Sequence, residues 1–254
     1  REGEARLLVD RNGKANAARG LQIWTDFFES TLSRHAIEDS IGTLRLRRTP
    51  FETTMTKAGF NPAYDYKSAQ HRSGAAAIFS RSDAVYRSQY AASAVSYFYD
   101  PYRNVEFRSL ARLVKLATDN EIRLVIFIPP YHSRYLEILH ETGQWPSFEA
   151  WKRALVRTVD EAAGKRRYLV LLYDFSDYDD LSGETVPIPG NNQMEMRWYI
   201  DSAHYTPALG DLMLATLMKA GPVFGSELNS QTVESDLRHI RRDRDRLFAP
   251  DALR

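Results

Sequence analysis

The sequence predicts an α/β domain, a three-layer sandwich on a mainly parallel sheet, with a helical N-terminal portion ahead of it. Three observations carry that expectation. From residue 101 onward the apolar pattern runs helix, strand, helix, helix, strand, the order of a right-handed crossover that lays strands in parallel. The two strand segments, residues 123–128 and 168–173, are short apolar runs without alternation, as expected of strands covered on both faces. Both runs end in polar residues, where open parallel sheets collect their ligands.

The elements follow in order. Residues 1 to about 15 are polar, with a turn at residues 10–13 (Asp-Arg-Asn-Gly). Leu21, Trp24, Phe27, Phe28 and Leu32 recur at three- and four-residue steps and predict an amphipathic helix. Ile37, Ile41 and Leu44 predict a second, over 36–46. Residues 47–87 have weak periodicity and read as irregular structure over the core, and 86–99 as helix. Leu110, Leu113, Val114 and Ala117 line one helix face, ended by Asp119-Asn120. After the first strand come helices at 133–141 and 148–163, the second capped by Ser147 and stopped by Gly164. After the second strand, Thr206-Pro207 opens a helix to Lys219 as cap and first-turn proline, and Gly221-Pro222 ends it. Residues 1–222 thus read as one α/β domain, irregular and helical to 100 and regular from 101. Residues 223–254 read as a charged, solvated helical tail whose alternating signs argue against a nucleic-acid arm.

Composition narrows the function classes. A net charge of +1 gives no field to recruit nucleic acid or an anionic membrane. The absence of cysteine excludes disulfides, thiolate metal sites and a Cys nucleophile. No apolar run approaches a membrane span, and the chain begins with Arg1 rather than Met. An upstream anchor or strand is therefore open. Fourteen Tyr and four Trp fit either a core or a carbohydrate groove.

Three polar clusters follow the apolar segments. They are Pro129-Pro130-Tyr131-His132, then Asp174, Ser176 and Asp177, and then the Trp198-to-Tyr205 stretch holding Asp201-x-x-His204. Asp201 and His204 are the candidate catalytic pair. A base His needs a carboxylate on one ring nitrogen to fix its tautomer, leaving the other nitrogen free. The plainer reading is a capping Asp beside a surface His. His132, Tyr131 and Tyr205 are candidate substrate-binding residues. For His132 the alternative is a cap for the following helix. Ser133 and Ser202 are hydroxyls beside candidate bases. Asp174, Asp177, Asp179, Asp180 and Glu184 could ligate a metal, but they lack EF-hand spacing and read as solvated loop carboxylates. His35, His71, His140 and His239 have no partner pattern and read as surface residues.

These residues resemble the SGNH (GDSL-like) hydrolases, and within them the DltD-like and alginate-O-acetylation-like branches of bacterial envelope proteins. The Asp201-Ser202-Ala203-His204 block before the last helix, with Gly210 following, is similar to the family's final motif. Pro129-Pro130-Tyr131-His132 looks like its P-P-x-H turn. The resemblance spans roughly residues 100–222 and implies an SGNH- or flavodoxin-like sheet. It implies an esterase or O-acyltransferase acting on acyl groups of an envelope glycan or polymer, with no cofactor and no metal. In that scheme His204 is the base and Asp201 its orienter. It also implies a periplasmic or extracytoplasmic place, with a membrane anchor or membrane-bound acyltransferase partner. The family's Gly-x-Ser nucleophile block is not found here. Either a serine lies upstream of Arg1 or the chain is a non-catalytic binding or assembly relative.

Overall fold

A computed structural model describes residues 19–46, 64–92, 105–191, 194–220 and 224–248, with isolated positions between residues 14 and 61. The turn at 10–13 and the helix stop at Gly221-Pro222 lie outside the described residues, as do residues 93–99 of the helix expected over 86–99. The chain divides into two units, Arg1–Ser68 and Ala69–Arg254.

The first unit holds α1 (Arg19–Leu32) and α2 (Arg34–Leu46), both where the apolar steps place them. Trp24, Phe27 and Phe28 form a ring cluster on α1 with centroids 5.6–6.2 Å apart, yet each ring is at least half exposed. A helix α3 (Tyr64–Ala92) begins in this unit and continues into the second, kinked at Gly74 with φ 76° and ψ 161°. Residues 64–87 are therefore helix, not irregular. Ala75, Phe79, Asp83, Tyr86 and Tyr90 follow one another at helical steps, and all but the partly buried Tyr86 are buried. One of those inward positions is an aspartate, which breaks the apolar period.

The second unit continues with α4 (Val105–Asp119), β1 (Leu124–Ile128), α5 (Ser133–Glu141), α6 (Trp145–Ala163), a 3₁₀ segment Gly164–Leu169 and β2 (Val170–Asp174). It closes with α7 (Pro207–Leu217), β3 (Ser226–Glu227) and α8 (Val233–Leu247). α6 starts at Trp145 behind Gln144, so Ser147 lies inside the helix rather than capping it. β1 and β2 pair in parallel, from Leu124↔Val170 to Ile128↔Asp174. The two-residue β3 pairs antiparallel with β2.

This corrects the expected fold class. The described residues are mostly helical, 64% helix, and among them lies one small three-stranded mixed sheet of order β1-β2-β3. It is not a three-layer sandwich on a mainly parallel sheet. The reason lies in the faces of the strands. Ile128, Val170 and Leu172 pack with Phe107 and Val114 of α4, Leu155 and Val159 of α6, and Val233 and Leu237 of α8 in one core. On the other face Val125 and Phe127 remain 41% and 42% exposed. An unbroken apolar run thus sits in a sheet whose two faces are covered unequally, and run composition alone does not distinguish the two cases.

The charge-dense C-terminal helix is also not simply solvated. Leu237 and Ile240 are buried. Arg244 Nε donates to Glu137 Oε1 at 2.7 Å and its Nη2 to Oε2 at 2.8 Å. Arg241 makes a two-pronged pair with Glu149. Fork-to-carboxylate pairs of this kind fix orientation as well as charge. Among the described residues, no helix is long and apolar enough to cross a membrane.

Candidate functional site

The Asp201–His204 turn is built by its flanks. Tyr199 and Tyr205 form an antiparallel bridge. Ile200 N–H donates to the His204 carbonyl at 2.8 Å, and Thr206 N–H to the Trp198 carbonyl at 2.8 Å. The chain between closes into a tight loop at the mouth of α7. Thr206 holds the cap position, but its hydroxyl donates to the Arg197 carbonyl rather than to the helix.

Inside the loop Asp201 has two tasks. Its Oδ1 accepts from the N–H groups of Ala203 and His204 at 2.8 and 2.9 Å. Both carboxylate oxygens lie 2.9 Å from His204 Nδ1. The capping and orienting readings of Asp201 therefore hold together. Burial pushes the Asp201 carboxyl up, but the hydrogen bonds from the His204 ring and the two N–H groups outweigh it, and the net shift is downward. The Asp201 hydrogen bond raises the His204 imidazole, against a smaller opposing effect of burial. The His204 side chain is 66% exposed and that of Asp201 17%. Among the described residues no group pairs with His204 Nε2, so this nitrogen faces solvent.

His132 is placed differently. It is the N-cap of α5: Nδ1 accepts from Arg134 N–H at 3.2 Å, while Nε2 donates to the Glu184 carbonyl at 2.8 Å. Phe79 and Tyr199 meet its ring edge-on at 5.0 and 5.1 Å. Burial drives its pKa down to about 4. A neutral imidazole with both nitrogens engaged has none left for a substrate. Tyr131 stacks on Tyr135 at 4.5 Å, and its carbonyl accepts from Tyr199. Tyr205 lines an apolar cavity of about 290 Å³ with Phe127, Pro207, Met213 and Leu217. Of the five candidates, then, Asp201 and His204 come together, Tyr205 stands beside them in sequence on a separate cavity, and His132 and Tyr131 are packed inward.

The serines near the pair do not complete a triad. Ser202 is fully buried, its Oγ is 3.3 Å from Ser82 Oγ, and its carbonyl accepts from His132 N–H. Ser133 is buried as the first residue of α5.

At the end of β2 lies a second polar centre, of which sequence reasoning names Asp174 and Ser176 but misses Lys152 and Asp236. Lys152, fully buried, pairs with Asp174 and lies 4.7 Å over the Phe148 ring. Asp174 Oδ1 accepts from the backbone N–H and the hydroxyl of Ser176 at 2.8 and 2.7 Å. Asp236 of α8 is also buried. Burial and the Asp174 charge push its pKa up to about 6, against the pull of Lys152. A signal was available: Lys152 is in phase with Phe148, Leu155 and Val159 on the inward face of α6. Of the acidic run after β2, Asp180 is exposed as a loop carboxylate, whereas Asp174, Asp177, Asp179 and Glu184 are engaged. Asp179 closes a turn with Ser182, and Glu184 accepts from the N–H groups of Arg197 and Trp198. His140 stacks on Trp145 at 4.0 Å rather than lying free on the surface, and His239 faces Asp177 and Asp243.

No protein-family model, curated protein or solved structure matches this chain. The resemblance to SGNH hydrolases therefore rests on the quoted motif residues alone.

Proposed function

We propose that Asp201 and His204 form a general-base dyad for hydrolysis or transfer of an ester-linked acyl group. The observation that carries this reading is a carboxylate at 2.9 Å from one imidazole nitrogen while the other faces solvent. In such a pair Nε2 takes the proton of the attacking oxygen and returns it to the departing alkoxide, and Asp201 stays ionised throughout. The raised His204 pKa strengthens it as a base and sets the pH above which it is free to act. The attacking oxygen belongs to water at the open ring edge or to a hydroxyl outside the described residues. An acyl group on an envelope glycan or polymer is the substrate class that the motif resemblance suggests, with an extracytoplasmic, membrane-associated setting.

The test is hydrolysis of an activated acetyl ester by the 254-residue chain. His204→Ala should lower the rate by about 10²-fold or more, and wild-type turnover should rise with pH as the ring deprotonates. An unchanged rate in His204→Ala sinks the role given to that residue. A second reading, a binding or assembly protein without turnover, is favoured by one observation. Ser202, the hydroxyl nearest the pair in sequence, is buried against Ser82. Wild-type hydrolysis no faster than that of His204→Ala, with retained binding of an O-acetylated polysaccharide, would select it.

A further inference from the structure

The loop after β2 and one face of α8 bring three ligand-type side chains to a single point. They are Asp177, His239 and Asp243, whose donor atoms all lie within 4.8 Å of one another. His239 Nε2 is 3.1 Å from Asp243 Oδ2 and 3.5 Å from Asp177 Oδ2. Ligand bonds of 2.0–2.1 Å in tetrahedral geometry put neighbouring donor atoms about 3.3 Å apart. The two His239 separations straddle that value, and the third pair, Asp177 and Asp243, has its donor oxygens within 4.8 Å, so an ion is held between the three groups once the two carboxylates draw together by up to about 1.5 Å.

The local chemistry agrees. His239 and Asp243 are four residues apart on α8 and share a face, which fixes their spacing by helix geometry. Asp177 Oδ1 is already held by Tyr178 N–H at 2.7 Å, an outer contact that aims Oδ2 at the cluster. Asp236 stands one turn earlier on α8. It is 7% exposed, and its Oδ2 has no hydrogen-bond partner. Four carboxylates, Asp174, Asp177, Asp236 and Asp243, thus gather at this end of the sheet. Facing them are the Lys152 ammonium, which pairs with Asp174 and also draws on Asp236, and the ring of His239. Buried negative charge in excess of its partners is costly, and a divalent ion would offset it.

We propose that Asp177, His239 and Asp243 form a binding site for a divalent transition-metal ion of the zinc class, with a fourth position open to water or a ligand. One imidazole and two carboxylates suit zinc-like ions better than magnesium or calcium, which prefer all-oxygen shells. Without the ion, Arg242 Nη2 lies 3.0 Å from His239 Nδ1, so Nδ1 accepts and Nε2 carries the proton toward the carboxylates. Ligation moves the proton to Nδ1 and turns Arg242 away, which its exposed position permits.

The experiment uses the 254-residue chain, stripped with a chelator and titrated with zinc chloride alone by calorimetry. The expected result is one equivalent bound at micromolar affinity or tighter, with a raised melting temperature. His239→Ala and Asp243→Asn should each weaken binding at least tenfold, while His204→Ala, at the other candidate pair, should leave it unchanged. The chain has no cysteine, so His239→Cys is a clean replacement and should restore binding that His239→Ala loses. Far-UV circular dichroism confirms that each variant is folded. No binding by the folded wild type, or binding that survives His239→Ala, or binding lost only in His204→Ala, would each overturn the site.

Discussion

The Lys152–Asp174 and His204–Asp201 pairs join a cation to a carboxylate in opposite surroundings. The first is 0% and 2% exposed, the second 66% and 17%. At the end of β2 every donor is committed inward: Lys152 to Asp174, and Ser176 to the other oxygen of the same carboxylate. At the mouth of α7 the carboxylate is committed and the imidazole only half so. The difference separates scaffold from chemistry. A buried pair fixes the strand end against α6, whereas an exposed pair keeps one nitrogen available to a reactant. The contrast makes unequal demands on stability, which mutations can measure.

The largest loss is expected at the buried pair. Lys152→Met leaves Asp174 without its cation beside buried Asp236, and breaking a buried pair on one side costs about 3–5 kcal/mol. Urea denaturation should show that loss, and adding Asp174→Asn should recover part of it. A smaller loss is expected at Gly225, where the chain approaches the same strand end. Its φ is +75°, and a Cβ there would overlap the Asp174 carbonyl oxygen. Gly225→Ala should cost about 2 kcal/mol or more in the same assay. Full stability in either variant would remove the view that this end of β2 is the tightly specified one.

Asp236 adds a pH signature to the buried side. Its folded pKa is raised, to about 6, so the folded state binds the proton more tightly than the unfolded chain. The stability this contributes is fully present below the ordinary Asp range and is lost as pH rises through about 6. Asp236→Asn should remove a slope on the order of 1–2 kcal/mol between pH 4 and pH 7, read from denaturation midpoints across that range. A wild-type curve flat over that window would place Asp236 in a better-compensated setting than its geometry shows.

Legibility in the sequence divides along the same line. The exposed turn was readable because its determinants are local: Asp201 and His204 are three residues apart, and Pro207 fixes the helix that follows. β1, β2, α5 and α7 were likewise readable, since each is an apolar run or period bounded by Pro, Gly or a cap. The buried centre was not, because Lys152, Asp174 and Asp236 meet only through the packing of α6, β2 and α8. Asp83 hid the periodicity of α3 in the same way, by placing a carboxylate on an inward face to meet Arg134 across 51 residues. The sheet was over-read because five apolar residues in β1 look alike whether or not both of their faces are covered. Leu237 and Ile240 of α8 show the converse, an inward face diluted by charges on the other sides of the helix.

The smallest stability effect is expected at the exposed pair, where titration is the sharper measure. Asp201 raises the His204 pKa through its hydrogen bond and charge. The resulting stability is present below the ordinary His range and fades as pH rises through the raised value. Solvent screening at a 66% exposed side chain keeps it below about 1 kcal/mol. Asp201→Asn should therefore barely move the denaturation midpoint above pH 8. In an NMR titration of the His204 ring it should bring the inflection down toward the ordinary imidazole range. If His204 acts as the base, the inflection in ester hydrolysis should move down by the same amount, because one proton governs both readings. A ring pKa that shifts without the activity inflection would detach catalysis from the dyad. An unshifted ring would mean that the 2.9 Å contacts carry no electrostatic coupling in solution, and the exposed pair would then be a capping turn alone.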